Sequence, residues 1–310
     1  MKSPQPLISV IIPVFNRAWQ LKRALESLQA QTFKDFEVIV CDDGSTEDIN
    51  GAVKGFDGVL DIHYLHMPNW GGPAKPRNEG LKIARGEWIS YLDSDDWWDK
   101  NRLAMVVERL NDSIDVLYHP LRVVKESTSA KSREKRLSIG DSISNDPFEQ
   151  MILLGNPLPT SATLVRKDLL TAHQGMSEER RLIALEDFDC WLRLASGGAR
   201  FYFLNQCLGN YWIGQDAISA VSERSIEGQK LLFERHHPFL DSRYQAQAQA
   251  RQNFILGMLY MRLGSQFEKA LEHMSLAHPL PTLQMTFKRL LVINWLKFKL
   301  NRFLGANFKK

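Results

Sequence analysis

Trp88-Ile89-Ser90-Tyr91-Leu92-Asp93-Ser94-Asp95-Asp96-Trp97-Trp98 is the stretch from which the fold is read. It opens apolar and rich in β-formers, then stops at three carboxylates within four positions. Such a run reads as a buried strand of a parallel sheet. Open α/β sheets seat their ligands at the carboxyl ends of strands, where these acids fall. Side chains alternate along a strand, so Asp93 and Asp95 would point the same way. Paired carboxylates suit a hard divalent cation and, through it, the phosphates of a nucleotide. The bland alternative is a solvated acidic turn capping a helix over Lys100 to Leu110.

The chain upstream repeats this arrangement. Leu7 to Val14 is a β-branched run, and Pro13 near its end fits a strand terminus. Asn16-Arg17 make a turn, after which Leu21, Leu25 and Leu28 recur at helical spacing. Phe36 to Cys41 is a second strand, stopped by Asp42-Asp43-Gly44-Ser45-Thr46. A short helix over Asp48 to Lys54 and a third strand over Leu60 to His66 follow. A Gly/Pro-rich loop, Pro68 to Pro73, precedes Lys75-Pro76-Arg77-Asn78 and a helix from Asn78 to Ala84. This alternation means a doubly wound, mainly parallel sheet. Two acidic strand ends and an Arg-bearing loop therefore meet at one edge. Taken singly, Asp42-Asp43-Gly44-Ser45 reads as an Asx turn and Arg77 as a surface charge. Together they make a nucleoside-diphosphate site, with acids for base or ribose and for metal, and an arginine for the phosphates.

Four segments carry a resemblance: Ser9 to Arg17 (SVIIPVFNR), Cys41 to Ser45 (CDDGS), Pro76 to Gly80 (PRNEG), and Gly86-Glu87-Trp88 through Asp96. In order and spacing the chain resembles the inverting glycosyltransferases of family 2, which have the GT-A nucleotide-sugar fold. The likeness is specific over residues 7–110 and extends to about 220. It implies a UDP- or other nucleoside-diphosphate sugar donor. Asp42 would contact the base, Asp93 the ribose and Arg77 the phosphates, while Asp95 would hold a Mn²⁺ or Mg²⁺ bridging the diphosphate. Pro13, Val14, Asn16, Arg17 and Ser94 would complete the donor site, supported by Asp43 and Asp96.

Further on, Ile114 to Tyr118 reads as a strand and Leu121 to Val124 as its continuation. Residues 126–145 are polar and aperiodic, a loop beside the site or a plain surface linker. The basic run Lys131 to Arg136 reads as a solvated face or as a contact for an anionic acceptor. Asn156 to Val165 re-enters the core, and Asp168 opens a short helix. Leu185 to Leu194 fits an amphipathic helix with Glu186 and Asp187 at its first turn, where the helix dipole favours acids. The family resemblance gives that pair another role: Asp187 as the general base that takes the acceptor proton, with Glu186 in support. In-line displacement inverts the centre and needs no covalent intermediate. Two departures stand out. Gln174-Gly175-Met176-Ser177-Glu178 replaces the family's Gly-Phe-Asp-Glu-like segment. Tyr211-Trp212-Ile213-Gly214-Gln215-Asp216 lacks the histidine of the family's Tyr-Arg-x-His element, so no metal role is assigned there. His236 and His237 read as ordinary histidines.

At 310 residues and 44% hydrophobic content, the chain can bury a sizeable core. The expected division is a GT-A domain over 1–220 and a helical extension over 221–310. Within the extension, Arg251 to Ala277 reads as a helical hairpin, vaguely like one tetratricopeptide unit; a single unit is no solenoid. Cys41, Cys190 and Cys207 have no metal-ligand spacing, which fits a reducing compartment. The N-terminus lacks signal-peptide features, and no apolar stretch spans a bilayer, so a cytoplasmic location is expected.

The net charge of +3 is unevenly spread. The last 38 residues hold seven cations and no anion, so the first 272, with the other 32 cations against all 36 acids, stand at −4. Thr286 to Leu300 mixes bulky apolar and basic residues, although its apolar stripe is not clean. A peripheral contact with an anionic membrane, on the inner face of the cell membrane, is the expected use of this tail. A nucleic-acid partner is not expected. The acceptor would be a hydroxyl of a glycan or a lipid-linked saccharide in surface-polysaccharide synthesis. Two other classes compete. A sugar-1-phosphate nucleotidyltransferase would want a Gly-rich loop where Pro13 to Arg17 stand. A catalytically inactive nucleotide-sugar-binding homologue that docks partners would lose acids, yet Asp42, Asp93, Asp95 and Asp187 are all present.

Overall fold

The computed structural model describes residues 5–125, 138–143, 146–214, 221–264 and 266–307. The basic run 131–136 and Gln215-Asp216 lie outside the described residues. Eleven strands occur among them: β1 (Ile8–Val14), β2 (Phe36–Asp42), β3 (Ile62–His66), β4 (Trp88–Tyr91), β5 (Trp97–Trp98), β6 (Val116–Tyr118), β7 (Leu121–Lys125), β8 (Ser138–Ile139), β9 (Thr163–Arg166), β10 (Phe201–Phe203) and β11 (Gly209–Ile213). The α-helices are α1 (Ala18–Gln29), α2 (Ile49–Lys54), α3 (Ala74–Ile83), α4 (Arg102–Val107), α5 (Pro147–Leu154), α6 (Lys167–Ala172), α7 (Glu186–Ser196), α8 (Glu223–His236), α9 (Ser242–Leu263), α10 (Phe267–Leu276) and α11 (Leu283–Asn307).

The chain divides into two compact units. The first comprises Met1–Asn145, Asn156–Glu178 and Glu186–Ala217. Its main sheet has the order β10-β6-β9-β4-β1-β2-β3. β1 lies near the middle, parallel to β2 and β4, and all seven of its residues are buried. That explains its near-continuous apolar sequence, because a strand covered on both faces has no polar side to show; its one polar residue, the buried Ser9, donates to Glu37 at 2.6 Å. β9 runs antiparallel between β4 and β6. α1 turns Leu21, Ala24, Leu25 and Leu28 into the core. Gly86 makes the turn into β4 under tight packing: a Cβ there would stand 2.5 Å from the Ser9 backbone nitrogen.

Three local expectations are corrected. The acids after β4 do not cap the next helix. β5 intervenes and pairs antiparallel with β11, and α4 begins only at Arg102 with no side-chain cap. Leu121–Lys125 does not continue β6; beyond His119-Pro120 it belongs to a second sheet of order β5-β11-β7-β8. Helix α3 starts at Ala74 rather than Asn78, directly after the Gly/Pro-rich loop. Pro76 fits its first turn, where a missing N–H leaves no helical bond unmade.

The second unit comprises Asp146–Gly155, Glu179–Leu185 and Ile218–Lys310, so two short segments from within residues 1–220 group with the helices. α9 ends at Gly264, whose φ of 75° is the left-handed conformation that lets the chain turn into α10. Ile226, Phe254, Leu256, Tyr260, Ala270, Met274, Ala277 and Leu296 form its core. Gly257 lets α9 and α10 approach closely, since a Cβ would meet the Met274 side chain at 2.9 Å.

Candidate active site

The carboxyl ends of β1, β2 and β4 lie side by side, and each delivers a loop to the same edge. After β1, Asn16 has a φ of 49°, a conformation asparagine tolerates better than most residues. Its Oδ1 accepts from the backbone nitrogens of Thr46 at 2.8 Å and Glu47 at 3.3 Å. Asn16 thus ties the loop after β1 to the loop after β2. Pro13 and Val14 are buried strand residues in register with Cys41 and Asp42.

Asp42 ends β2, almost fully buried. Its Oδ2 accepts from the Tyr64 hydroxyl at 2.6 Å and lies 3.1 Å from His66 Nδ1, while Oδ1 accepts from the Ser45 backbone at 2.9 Å. Burial pushes its carboxyl upward, but the bonds from Ser45, Tyr64 and His66 outweigh that and hold it below its ordinary value. Asp42 is therefore an ionised acceptor. Asp43 acts locally. Its two oxygens accept from the backbone nitrogens of Trp70 at 2.7 Å and Gly71 at 3.0 Å, which shapes the loop before α3.

The acids after β4 separate into different environments. Asp93 is part-exposed; its backbone nitrogen donates to Ser161 Oγ at 3.0 Å and its Oδ1 accepts from Arg77 at 2.6 Å. Ser94 is buried. Asp95 pairs with Arg17, and its backbone carbonyl accepts from Arg23. Arg23 in turn lies over the Trp97 ring, 3.8 Å from its centroid. Asp96 is buried and accepts from the Trp212 backbone at 2.9 Å, which anchors β11 beside the acids. Burial, then the charge of Asp93, raises the carboxyls of both Asp95 and Asp96 above their ordinary value.

Arg77 joins this cluster to α7. Arg77 is 3% exposed, and its guanidinium donates to Asp93 at 2.6 Å and to Glu186 Oε1 at 2.8 Å. Burial disfavours the charge, but Asp93, Glu186 and Asp187 outweigh it, so the arginine stays protonated. Asp187 begins the helix beside Glu186; its Oδ2 accepts from Thr160 at 2.6 Å and its Oδ1 from the Phe188 backbone. Burial raises its carboxyl above its ordinary value, against the hydrogen bond from Thr160. Two carboxylates bond to one buried guanidinium and a third, Asp187, stands in its field, so the site holds surplus negative charge.

That surplus is the test for a metal. All candidate donors here are carboxylate oxygens, which suit Mg²⁺ or Mn²⁺, and a cation would offset both the burial and the repulsion from Asp93 that raise Asp95 and Asp96. The donor set fits, with Arg17 already on Asp95 and obliged to share it. A second acidic group, Glu37, Asp61 and His63, lies toward the amino end of β2. Arg85 already bridges its two carboxylates, at 2.7 and 2.8 Å.

The motifs do not mark Tyr64, His66, Thr160, Ser161, Arg23 or Tyr211. Tyr64 and His66 sit two apart on β3, a spacing that places them on one face once the register with β2 is known. Tyr211 stands in the field of Asp96, Asp93, Asp95 and Asp187; burial first, then these acids, push its hydroxyl up to about 12, so it remains a donor. No sequence pattern signals Arg23, Thr160 or Ser161, because their partners lie 27 to 72 residues away.

The model of glycosyl transferase family 2 matches residues 9–168. A Campylobacter jejuni protein, GalNAc(5)-diNAcBac-PP-undecaprenol beta-1,3-glucosyltransferase, is 35% identical over 128 residues, 41% of this chain and 41% of its own. A putative teichuronic acid biosynthesis glycosyltransferase of Bacillus subtilis is 23% identical over 222 residues, 71% of this chain and 84% of its own. Among solved structures, Staphylococcus aureus TarS 1–349 in complex with UDP-GlcNAc aligns with a TM-score of 0.63 at 20% identity, covering 95% of this chain and 91% of that one. This likeness establishes the GT-A-like fold. The chain spans between 16% and 41% of the length of the Rickettsia and Campylobacter relatives it matches.

Proposed function

The chain belongs to glycosyl transferase family 2, and on that premise we propose that it transfers a sugar, with inversion, from a nucleoside-diphosphate donor to an acceptor hydroxyl. The observation that carries this reading is the buried Arg77, which ties the acid-bearing end of β4 to the acid-bearing start of α7. A donor site and a base are thereby held in one frame. Asp42, ionised and oriented by Tyr64 and Ser45, suits a nucleobase N–H. Asp93 faces the ribose. The resemblance gives the phosphates to Arg77, which also orients Asp93 and Glu186, and Arg17, at the rim on Asp95, is a second cation placed to turn toward them. Asp95 is the residue that would hold Mn²⁺ or Mg²⁺, a charge that makes the diphosphate a better leaving group. Asp187, steered by Thr160, takes the acceptor proton as the hydroxyl attacks the anomeric carbon.

The Campylobacter relative acts on an undecaprenol-linked saccharide, and the Bacillus relative is assigned to teichuronic acid synthesis. By that analogy the acceptor is a glycan or lipid-linked saccharide of surface-polysaccharide synthesis, reached from the cytoplasmic side; the donor is a UDP-sugar, by analogy with the UDP-GlcNAc bound in the TarS structure. The test is release of nucleoside diphosphate from a panel of sugar nucleotides with purified protein, with and without Mn²⁺. Turnover that requires both metal and Asp187 supports the reading. Donor binding without turnover for any acceptor would instead establish a non-catalytic nucleotide-sugar binder.

A further inference from the structure

Helix α11 carries apolar side chains on two opposite sides. Inward, Leu296 is fully buried, and Val292 and Ile293 pack against the core formed with α9 and α10. Arg289 also turns inward and donates to the carbonyls of Met274 at 2.7 Å and Ser275 at 3.1 Å. Outward, Leu283 is 89% exposed, Phe287 66%, Leu290 50% and Leu291 55%. Their spacing of i, i+4, i+7 and i+8 makes one continuous ridge. Lys288 and Lys297, both exposed, flank it. The mixed stripe read from the sequence is thus two stripes, one covered and one bare.

We infer that this outward ridge is a docking surface for an anionic lipid bilayer. Large contiguous apolar patches on a protein surface mark a partner, and the charge selects which. From His273 to the C-terminus there are seven cations and no acid. A second copy would bring the same cations against these and repel them. Anionic headgroups attract them, while the leucines and phenylalanine enter the interface and the lysine stems reach back to the headgroups. Among the described residues no helix is long and apolar enough to cross a membrane. The contact is therefore one of lying on the surface, reversible and sensitive to salt. The use of that seat, to meet a lipid-linked acceptor, rests on the function proposed above; the docking itself does not.

Flotation of the full-length chain with vesicles of phosphatidylglycerol and phosphatidylcholine, against phosphatidylcholine alone, tests the inference. Recovery with the anionic vesicles alone, falling as salt rises, is the expected result. Phe287→Ser with Leu291→Ser should lower partitioning at least about fivefold, and Lys288→Glu with Lys297→Glu at least about tenfold. All four side chains are exposed, so circular-dichroism melts should match the wild type. Equal recovery of wild type and the Ser pair, or no preference for anionic vesicles, overturns the proposal. So does a solution dimer that the Ser pair converts to monomer, since the ridge would then join two copies. These vesicles hold neither donor nor acceptor, so failure here does not count against the transfer reaction.

Discussion

Asp187, proposed above as the general base, shows how surroundings change the chemistry of one side chain. At a helix start an acid is ordinary; burial, with the charge of Asp93 nearby, makes it a stronger base than a surface aspartate. Asp187→Asn should slow transfer about 10²–10⁴-fold while calorimetry shows donor affinity unchanged. A wild-type rate would leave Asp187 as a helix cap only. In the wild type, kcat should rise with pH through a midpoint above the ordinary carboxylate range, because the base must be ionised. Arg77 has the opposite character, being buried and held between two acids. Arg77→Met strands Asp93 and Glu186 without their cation, so denaturant unfolding should show a loss of about 3–5 kcal/mol. A loss near zero would mean that Arg77 is dispensable as a strut.

At the scale of elements, the site depends on strand ends held level by a parallel register, and α11 depends on only one of its faces. Leu296 is enclosed by α9 and α10, so Leu296→Ala should cost about 2–5 kcal/mol in urea unfolding. The exposed Leu291, five residues earlier and on the other face, should tolerate Ala within about 0.5 kcal/mol. Equal costs at the two positions would mean that the helix packs by its other side. The pair also explains why removing the whole tail is a poor probe of membrane contact: it would strip the second unit's core along with the ridge.

Over the whole molecule the acid cluster sets a pH dependence. The folded chain holds protons on Asp95, Asp96, Glu186 and Asp187 up to higher pH than the unfolded chain does, in each case chiefly through burial. Stability from these groups is therefore present at low pH and is lost as pH rises through their folded values. Melting temperature should climb as pH falls from neutral toward the ordinary carboxylate range. It should turn over below that range, where Asp42 and Asp115, both held low by hydrogen bonds, take protons. A cation binding the same acids should raise the melting temperature more at pH 7 than at pH 5, where protons compete for them. At a hundredfold excess over Kd the gain is about 2.7 kcal/mol. Asp95→Ala should abolish the Mn²⁺-induced shift, and an unchanged shift would move the metal elsewhere.

Much of this was legible in the chain as a string of residues. Apolar runs ending in acids fix strands and their carboxyl edges, since covering both faces of a central strand leaves no polar alternation, and that local rule reads without coordinates. Ser9 to Arg17, Asp42-Asp43, Pro76-Arg77 and Asp93 to Asp96 therefore located the edge and its acids. Tertiary structure decided the partnerships. Arg77 turned out buried between Asp93 and Glu186, 16 and 109 residues away, and no local pattern encodes a pairing across that distance. Asp95 received Arg17, and Thr160 came to steer Asp187, for the same reason. The direction of a helix face was equally undetermined: α11 is apolar on both sides, and only the packing of Leu296 against α9 and α10 settled which side remained for solvent or lipid. Sequence dictates what a side chain can do; which neighbours it meets, and so its charge state and its role, follows from chain closure over long separations.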